Sequence, residues 1–479
     1  MMMSHKERLH PIAVVLSFGK SLKEMLIPLI FFLFVNVGER AFFSLNSLAI
    51  VGVFLYIIIS GIVQWMMFHY YIENEELRIE YGVFVKKRRY IPKDRIQSIN
   101  ISSGLLQRMF GLVRVQIETA GGFDKAEAEL AAVTKEKAAV LQELLLVTPN
   151  NEGEALTAEK PKKIWKLSTK ELFLASATSG GAGVIFSFIA AFLSQFDQFI
   201  PAKYVSLFIE RALASSIAFI AFFIFIAALL TWLFSIAGTI LKFGGFTLSK
   251  NEKELQIKSG ILEQKQLTIP LHRIQAVRIV EGILRQPFGF AALYVESAGG
   301  GGKEENYSTV LYPLIRKKDV YSFLQEVLPE YAHEANLYNL PRRAMIRYML
   351  RFSLPLFIIA VPVIIFVSHP YRWLALLPVI GGALLGYVQY KSAGWQLVSS
   401  HLYVSARKLA KTTAIVKKQR VQALESKQSY FQKRKKLLTV SVFIMSSFSG
   451  RAFHIVDLGE ENADDLANWF SYQTKKLSL

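Results

Sequence analysis

An arginine and a glutamine recur at one spacing in this chain, and both side chains can bind anions or hydrogen-bond acceptors. The sequence IPKDRIQ contains Arg95 and Gln97, and IPLHRIQ contains Arg273 and Gln275 at a distance of 178 positions. A more divergent copy, VKKQRVQ, contains Arg420. The planar guanidinium donates hydrogen bonds in a fixed geometry that matches phosphate and carboxylate groups. One interpretation is that each arginine binds an anionic lipid headgroup or a carboxylate of a partner.

The same pairs also have a purely structural interpretation. Residues separated by one position lie on one face of a β-strand, so the arginine and the glutamine could bond across a sheet. Both residues recur together with the proline and the glycines of one repeated segment, which favours a role in the scaffold. Both interpretations stay open from the sequence.

A run of four basic residues forms the other candidate interaction site: Lys433, Arg434, Lys435 and Lys436. Beside an anionic leaflet, each such charge contributes about 1 kcal/mol to membrane binding. A solvated surface is the alternative explanation. A second basic run, KKRR at 86–89, lies at the end of a predicted hairpin strand and has the same two interpretations.

Patterns typical of catalysis are absent from the sequence. There is no cysteine, and the eight histidines are scattered without the spacing of a metal site such as H-E-x-x-H. A G-x-S-x-G nucleophile motif is also missing. We therefore predict a protein that is not an enzyme and that has no metal and no cofactor.

The elements that position these residues begin with membrane helices. Hydrophobic residues make up 52% of the 479 positions, and the mean hydropathy is +0.32. A membrane helix needs about 20 mostly apolar residues. Six candidate spans occur in three pairs, at about 25–38, 48–68, 172–193, 213–241, 352–367 and 373–388. Small residues such as Gly382 and Gly386 permit close contact between helices.

Charge predicts the orientation of these spans. The net charge is +19, and basic runs lie between the pairs of spans rather than inside them. Lysine and arginine favour the cytoplasmic side of a membrane. We predict a multi-pass protein of the cell membrane, with both termini and the long segments between the pairs in the cytoplasm. The lipid bilayer, with contact to anionic headgroups, is then the expected partner, and a nucleic acid is not expected as a partner.

The long segments are copies of one module. Between 91–122 and 269–300, 14 of 32 positions are identical without a gap, and a third copy aligns VKKQRVQAL with IPKDRIQSI. Each copy begins with alternating apolar and polar residues around a turn, which predicts a β-hairpin, and ends with an amphipathic helix. The predicted boundaries are 1–70 for the N-terminal segment and first hairpin, 71–148 for module 1, 149–171 for a linker, 172–241 for the second hairpin, 242–332 for module 2, 333–348 for a linker, 349–391 for the third hairpin and 392–475 for module 3.

A membrane hairpin followed by L-x-I-x-x-G, then I-P-x-x-R-I-Q, then G-x-L-x-x-x-F-G resembles the bacterial pleckstrin-homology-like (bPH2) domain of membrane proteins. The resemblance implies a seven-stranded, strongly bent β-sandwich or barrel that is capped by a C-terminal helix. It also implies a partner, a related but smaller membrane protein with one module, and a role in envelope stress or in resistance to membrane-active peptides. The third copy lacks the proline and the glycines of the motif.

The expected fold is thus a multi-domain integral membrane protein, with six transmembrane helices in three hairpins and a PH-like module after each. The expected function is that of a non-enzymatic membrane scaffold that holds a protein or lipid headgroups. A transporter or lipid-moving protein that uses the six-helix bundle is the alternative, although the spans contain few ionisable residues. A lipid-modifying enzyme would need a cluster of acids, histidines or metal ligands.

Overall fold

The computed structural model describes residues 6–35, 45–83, 85–119, 128–146, 163–180, 217–297, 309–366, 370–445 and 450–471. The chain divides into two compact units. Unit 1 comprises Met1–Ile164 and Asn251–Pro270, and unit 2 comprises Trp165–Lys250 and Leu271–Leu479.

The first third of the chain contains two long helices and the elements of module 1, which consists of β1–β7 with α3 and α4. Their bounds are β1 Glu7–Arg8, α1 Ile12–Val35, α2 Leu45–Met67, β2 His69–Glu73, β3 Glu76–Tyr81, β4 Lys87–Pro92, β5 Ile96–Ser103, α3 Leu105–Met109, β6 Leu112–Thr119, β7 Ala128–Thr134 and α4 Lys135–Leu146.

The second third contains the elements of module 2, β8–β14 with α7. The bounds here are β8 Lys163–Lys166, α5 Thr169–Ala177, α6 Ile217–Phe243, β9 Thr247–Lys250, β10 Glu254–Ser259, β11 Gln264–Pro270, β12 Ile274–Glu281, β13 Phe290–Ser297, β14 Thr309–Arg316 and α7 Val320–Val327.

The last third contains the elements of module 3, β15–β21 with α10 and α11. They are β15 Tyr338–Asn339, α8 Met345–Phe366, α9 Leu376–Ser392, β16 Gly394–Val398, β17 His401–Arg407, β18 Lys411–Lys417, β19 Val421–Lys427, α10 Tyr430–Lys433, β20 Leu437–Ile444, β21 Arg451–Gly459 and α11 Glu460–Phe470. Strands β1, β8 and β15 and the start of β2 lie before the predicted module boundaries at 71, 242 and 392, and we count them with the module whose strand they pair with.

Two glycines form the hairpins that the alternating pattern predicts. Gly82 joins β3 to β4 with φ +110°, and Gly260 joins β10 to β11 with φ +107°. These backbone conformations are open to glycine but strained for residues with a Cβ. A Cβ on Gly260 would also meet the carbonyl carbon of Glu263 at 3.0 Å. The predicted hairpins around both glycines are confirmed.

The sheets cross the boundaries between modules. In unit 1 one sheet has the order β1-β2-β3-β4, and another contains β7-β6-β5-β11-β10, so strands of modules 1 and 2 lie side by side. In unit 2 a seven-stranded sheet has the order β14-β13-β12-β18-β17-β16-β15, and a three-stranded sheet has the order β19-β20-β21. Neighbouring modules therefore share sheets instead of forming separate ones, because β5 pairs with β11 and β12 pairs with β18.

The C-terminal helix of a module covers an apolar sheet face. In module 1, Leu141 and Leu145 of α4 are buried in one core with Ile99 of β5 and Leu130 of β7. In module 3, Leu466 of α11 is buried in the core of that module. The amphipathic helices that the sequence predicts at the ends of the copies are therefore present in modules 1 and 3, as α4 and α11, and each buries its apolar side.

Among the residues that the structure describes, three helices are long and apolar enough to cross a membrane: Phe225–Phe243, Arg342–Phe366 and Arg372–Ser392. Shorter apolar helical stretches occupy Ile12–Leu22 and Phe54–Met67. Parts of the predicted spans, at 36–38, 181–193, 213–216 and 367, lie outside the described residues. The structure thus contains three candidate membrane helices within the described ranges, and the full set of six in three hairpins stays a prediction.

Candidate functional site

The repeated motif forms a short 3₁₀ turn between two strands. The turns are Lys93–Arg95, Leu271–Arg273 and Lys418–Arg420, and each is followed directly by β5, β12 or β19. Each arginine is therefore the last residue of a turn, whereas the glutamine lies inside the strand that follows. The sequence did not predict this turn, because its residues have no period of their own.

The third copy keeps the turn without the proline. Pro92 precedes the first turn with φ −62° and ψ 139°, and Lys417 precedes the third turn with φ −80° and ψ 135°. Proline only restricts φ to a value that lysine can also adopt. The ammonium of Lys417 lies 2.9 Å from the carboxylate of Glu330, an ion pair that proline could not form.

In the second copy of the motif, the residues of the motif form hydrogen bonds with one another. Gln275 is buried, and its Nε2 donates a 2.9 Å hydrogen bond to the carbonyl of Arg273. Arg273 Nε donates to Nε2 of His272 at 3.3 Å. Burial lowers the pKa of the Arg273 guanidinium. The pKa of His272 is also lowered, first by burial and then by the positive charges of Arg273 and Arg420. Gln275 therefore stabilises the turn, which agrees with the structural interpretation, and its role as an interaction residue stays a prediction.

The arginines of the other two copies have different surroundings. Arg420 Nη2 donates to the carbonyl of His272, so this arginine links module 3 to module 2. Arg95 is exposed, and no partner for it is found among the described residues. Gln97 lies within β5. The same position thus forms a contact between modules in one copy and stays open in another.

Arg420 lies far from the membrane helix of its own module. At the hairpin between β17 and β18, Arg407 Nε donates to Oγ of Ser392, the last residue of α9, at 2.8 Å. From Lys411 beside this hairpin, β18 extends for seven residues to Lys417. A strand of that length spans about 20 Å. Arg420 follows at the far end, which disfavours contact with a lipid headgroup.

The four basic residues Lys433 to Lys436 are all exposed, and they lie next to a membrane helix. Arg343, in the turn just before α8, donates from Nη2 to the carbonyl of Lys436 at 3.1 Å. Arg434 lies over the ring of Tyr430, with 5.0 Å between the guanidinium carbon and the ring centroid. The structure brings this run, but not Arg420, to the base of a candidate span.

Each module also exposes a pair of apolar side chains in the segment before β6, β13 or β20. We call these pairs the apolar tips, and they are Leu105 with Leu106, Ile283 with Leu284, and Tyr430 with Phe431. The exposed fraction ranges from 48% for Leu106 to 68% for Phe431. The three pairs occupy corresponding positions of the repeat. Sequence reasoning missed them, although a recurring apolar pair without a strand or helix period was a usable signal.

Polar side chains hold the first and third tips in place. In module 1, Gln107 Oε1 accepts from the N–H of Gly104 at 2.8 Å, and its Nε2 donates to the carbonyl of Ala131 at 2.6 Å. The next carbonyl, that of Ala132, accepts from the N–H of His10, two residues before α1. In module 3 the corresponding residue, Gln432, donates from Nε2 to Oδ1 of Asp457 at 2.8 Å, and Asp457 pairs with Arg347 near the start of α8. Each of these tips is thus tied to the start of a long helix.

An arginine holds the second tip. Arg285 donates from Nη1 to the carbonyl of Pro313 at 2.9 Å and from Nη2 to the carbonyl of Ala175 in α5 at 3.0 Å. Two residues further, the carbonyl of Ala177 accepts from Nε1 of Trp232 at 3.0 Å, and Trp232 belongs to the apolar span Phe225–Phe243. The second tip therefore lies beside a candidate membrane helix.

Two fully buried carboxylates join parts of unit 2. Asp457 in β21 pairs with Arg347 Nε and Arg351 Nη2 of α8, each at 3.0 Å. Glu296 in β13 pairs with Arg278 at 2.5 Å and with Arg451 of module 3 at 2.9 Å. Buried carboxylates are tolerated when cations and hydrogen bonds compensate them. These carboxylates hold separate elements of unit 2 together, and sequence reasoning did not identify them.

Titratable side chains in the described part of the chain do not assemble into a metal site. No group of three or more histidine, aspartate or glutamate side chains within these ranges could hold an ion. The predicted absence of a metal, a cofactor and an enzymatic activity stays a prediction.

Comparison with known proteins agrees with this architecture of repeated sheets and apolar helices. Residues 29–147, 189–331 and 350–474 match the family described as bacterial PH domain, so this chain belongs to that family. The chain is also 39% identical over 491 aligned positions to the UPF0699 transmembrane protein YdbT of Bacillus subtilis (strain 168), an alignment that covers 98% of this chain and 99% of that relative. No solved structure matches. The resemblance to bPH2 membrane proteins is confirmed.

Proposed function

We propose that this chain is a non-enzymatic membrane scaffold whose three modules rest on the cytoplasmic leaflet through their apolar tips. The observation that carries the proposal is the position of the tips: the first and third are linked to the starts of α1 and α8, and the second lies beside α6. Exposing a pair of apolar side chains to water is unfavourable, whereas the boundary between headgroups and acyl chains accommodates them.

The third tip has the strongest features of an interfacial contact. Tyr430 and Phe431 supply aromatic rings, which favour the headgroup region. The adjacent run of Lys433 to Lys436 supplies four exposed cations. At about 1 kcal/mol per basic residue near an anionic surface, these charges and the rings would act together.

The proposal includes a topology. The basic runs at 86–89, 316–318 and 433–436 lie between or after the pairs of apolar segments. The preference of lysine and arginine for the cytoplasmic side supports six helices in three hairpins, with both termini and all modules in the cytoplasm. The pairings of β5 with β11 and of β12 with β18 support a scaffold, because neighbouring modules share a sheet at each of these places.

The family resemblance extends the proposal to a protein partner. A smaller membrane protein with a single module is the expected partner, and envelope stress or resistance to membrane-active peptides is the expected setting. Co-purification of such a protein with the tagged full chain from mild detergent tests this part. Recovery of the full chain without it would contradict this part and leave the leaflet contact unaffected.

The leaflet contact can be tested directly because the chain has no cysteine. Phe431→Cys in the full chain, labelled with an environment-sensitive fluorophore, is placed in nanodiscs of phosphatidylglycerol and phosphatidylcholine. We expect a blue-shifted emission that lipid-attached nitroxides quench. Glu330→Cys is the matched control, since Glu330 is exposed and its carboxylate lies 2.9 Å from Lys417 at the far end of β18.

The control should keep the emission of a water-exposed label and should be insensitive to nitroxide lipids. Equal emission and equal quenching at both positions would overturn the leaflet contact. Nanodiscs of phosphatidylcholine alone separate the contributions, since loss of anionic lipid should weaken the effect of the cations but not that of the rings.

A further inference from the structure

The two junctions between modules have the same register. In unit 1, Gln264 of β11 lies opposite Ser103 of β5. In unit 2, Lys411 of β18 lies opposite Glu281 of β12. In the repeat, Gln264 corresponds to Lys411 and Ser103 corresponds to Glu281. The two junctions are therefore two copies of one antiparallel interface.

This interface is heterologous, because its two sides are formed by different strands of the module. One side is the second strand of the hairpin (β11 or β18), and the other side is the strand after the 3₁₀ turn (β5 or β12). Heterologous contacts leave one unused half at each end of a linear row. Module 1 retains β4 as its unused hairpin strand, and module 3 retains β19.

Both unused strands lie at the edges of their sheets in the part of the chain that the structure describes. Arg88 to Tyr90 of β4 are exposed, whereas the corresponding residues Thr413 to Ile415 of β18 are buried. The exposed residues of β19 include Gln422, Ala423, Ser426 and Lys427, whereas the corresponding strand β12 is buried at nearly every position. Burial in β12 and β18 thus accompanies the junction, and β4 and β19 lack it.

We propose that a second molecule of this chain continues the row: β19 of one molecule pairs antiparallel with β4 of the next, in the register of the internal junctions. Edge strands offer unpaired N–H and C=O groups that a complementary strand can satisfy. The register places Ser426 opposite Arg88 and Glu425 opposite Arg89. The second pair brings a carboxylate to a guanidinium.

The contacts around the strands fit the same arrangement. At the internal junction, Arg420 of module 3 donates to the carbonyl of His272 in the turn of module 2. The corresponding contact between two molecules joins Arg95 to the carbonyl of Gln419. Arg95 and Gln419 are both exposed within one molecule. The arginine of the third copy thus forms a junction contact within one molecule, and Arg95 would form the corresponding contact between two molecules.

A second copy is the favoured occupant because each molecule already carries both halves of the interface. Membrane anchoring also keeps neighbouring copies in one plane, which raises their encounter frequency. One like-charged pair, Lys427 opposite Lys87, opposes the contact. The ammonium of Lys427 already lies 3.1 Å from the carboxylate of Glu425, which reduces this repulsion.

Disulfide cross-linking in the cysteine-free full chain tests the register. Ser426→Cys in a chain with one tag and Arg88→Cys in a chain with another tag are co-expressed and mildly oxidised in membranes. We expect a product of twice the chain mass that contains both tags. Thr413→Cys with Ile279→Cys in one chain is the matched positive control, because this pair occupies the same position at the internal junction.

The register control pairs Ser426→Cys with Arg89→Cys, since a shift by one residue turns the side chain to the other face. We expect at least a tenfold lower yield from it, and also a several-fold lower yield when Arg95→Ala is added to the Arg88→Cys chain. Equal yields in and out of register, or no product with both tags, would overturn the proposal. Cross-linking of Ser426→Cys to a different, smaller protein would also overturn it, without affecting the leaflet contact.

Discussion

The carboxylate of Glu296 lies 2.9 Å from Nη1 of Arg451, and this contact joins module 2 to module 3. Glu296 is fully buried, and its second cation is Arg278 of the neighbouring strand β12. Burial lowers the pKa of the Arg278 guanidinium, whereas the adjacent Glu296 opposes that shift. The two modules are therefore held by a buried charge cluster as well as by a shared sheet.

Glu296→Gln should weaken this junction, because it leaves two guanidinium groups near a buried site without their carboxylate. Breaking a buried ion pair by removing one partner destabilises a protein by about 3 kcal/mol or more. We expect a clear decrease of the apparent Tm of the detergent-solubilised chain. Glu143→Gln, at an exposed position of α4, is the matched control and should leave the Tm unchanged.

Asp457→Asn tests the contact between module 3 and α8. Asp457 has φ +57°, a conformation that asparagine tolerates well, so the substitution removes the charge without adding backbone strain. The loss of two ion pairs, to Arg347 and Arg351, should destabilise this contact by about 3 kcal/mol. Hydrogen exchange should accelerate at the end of β21. Asp464→Asn on the exposed side of α11 should not change the exchange, and equal acceleration in both variants would contradict this account.

Gly386→Ala should separate α8 from α9. A Cβ at Gly386 would lie 2.6 Å from the Cα of Met349, which is closer than two carbon atoms can pack, so the helices would have to move apart. Forcing extra volume into a packed contact destabilises by about 1–3 kcal/mol. Gly381→Ala is the matched control, because nothing lies within 4 Å of a Cβ there. The Tm should decrease for the first variant only.

Low pH should destabilise the chain through His401. Burial lowers the pKa of this imidazole from its usual 6.5, and the nearby His333 and Lys417 lower it further. Below about pH 6.5 the unfolded chain then binds more protons at this position than the folded chain, so stability decreases as the pH falls. The decrease of Tm between pH 7.5 and 5.5 should be smaller in His401→Gln. An unchanged pH dependence in that variant would remove His401 from the explanation.

Much of the architecture was readable from the residues themselves. Alternation around Gly82 and Gly260 predicts the hairpins, because a side-chain period of two and a glycine turn are local properties. The apolar periodicity of Leu141 and Leu145 predicts a covering helix. The repeats and the apolar runs identified the family and the membrane setting.

Sites that depend on distant partners could not be predicted in this way. Nothing near Asp457 in the sequence indicates that Arg347 and Arg351 compensate its charge. The basic residues Lys433 to Lys436 and the apolar tip beside them become a single surface only when α10 lies against the start of α8. The candidate arginines Arg95 and Arg273 have identical motifs but different surroundings, since their neighbours come from other segments.

The sequence by itself determined which segments are strands, turns and apolar helices, because those choices follow from the side chains of consecutive residues. Only the tertiary structure decided which strands lie side by side. The pairings of β5 with β11 and of β12 with β18 are formed by backbone N–H and C=O groups. These groups are the same in nearly every residue, so the side-chain pattern does not specify which edge a strand will meet.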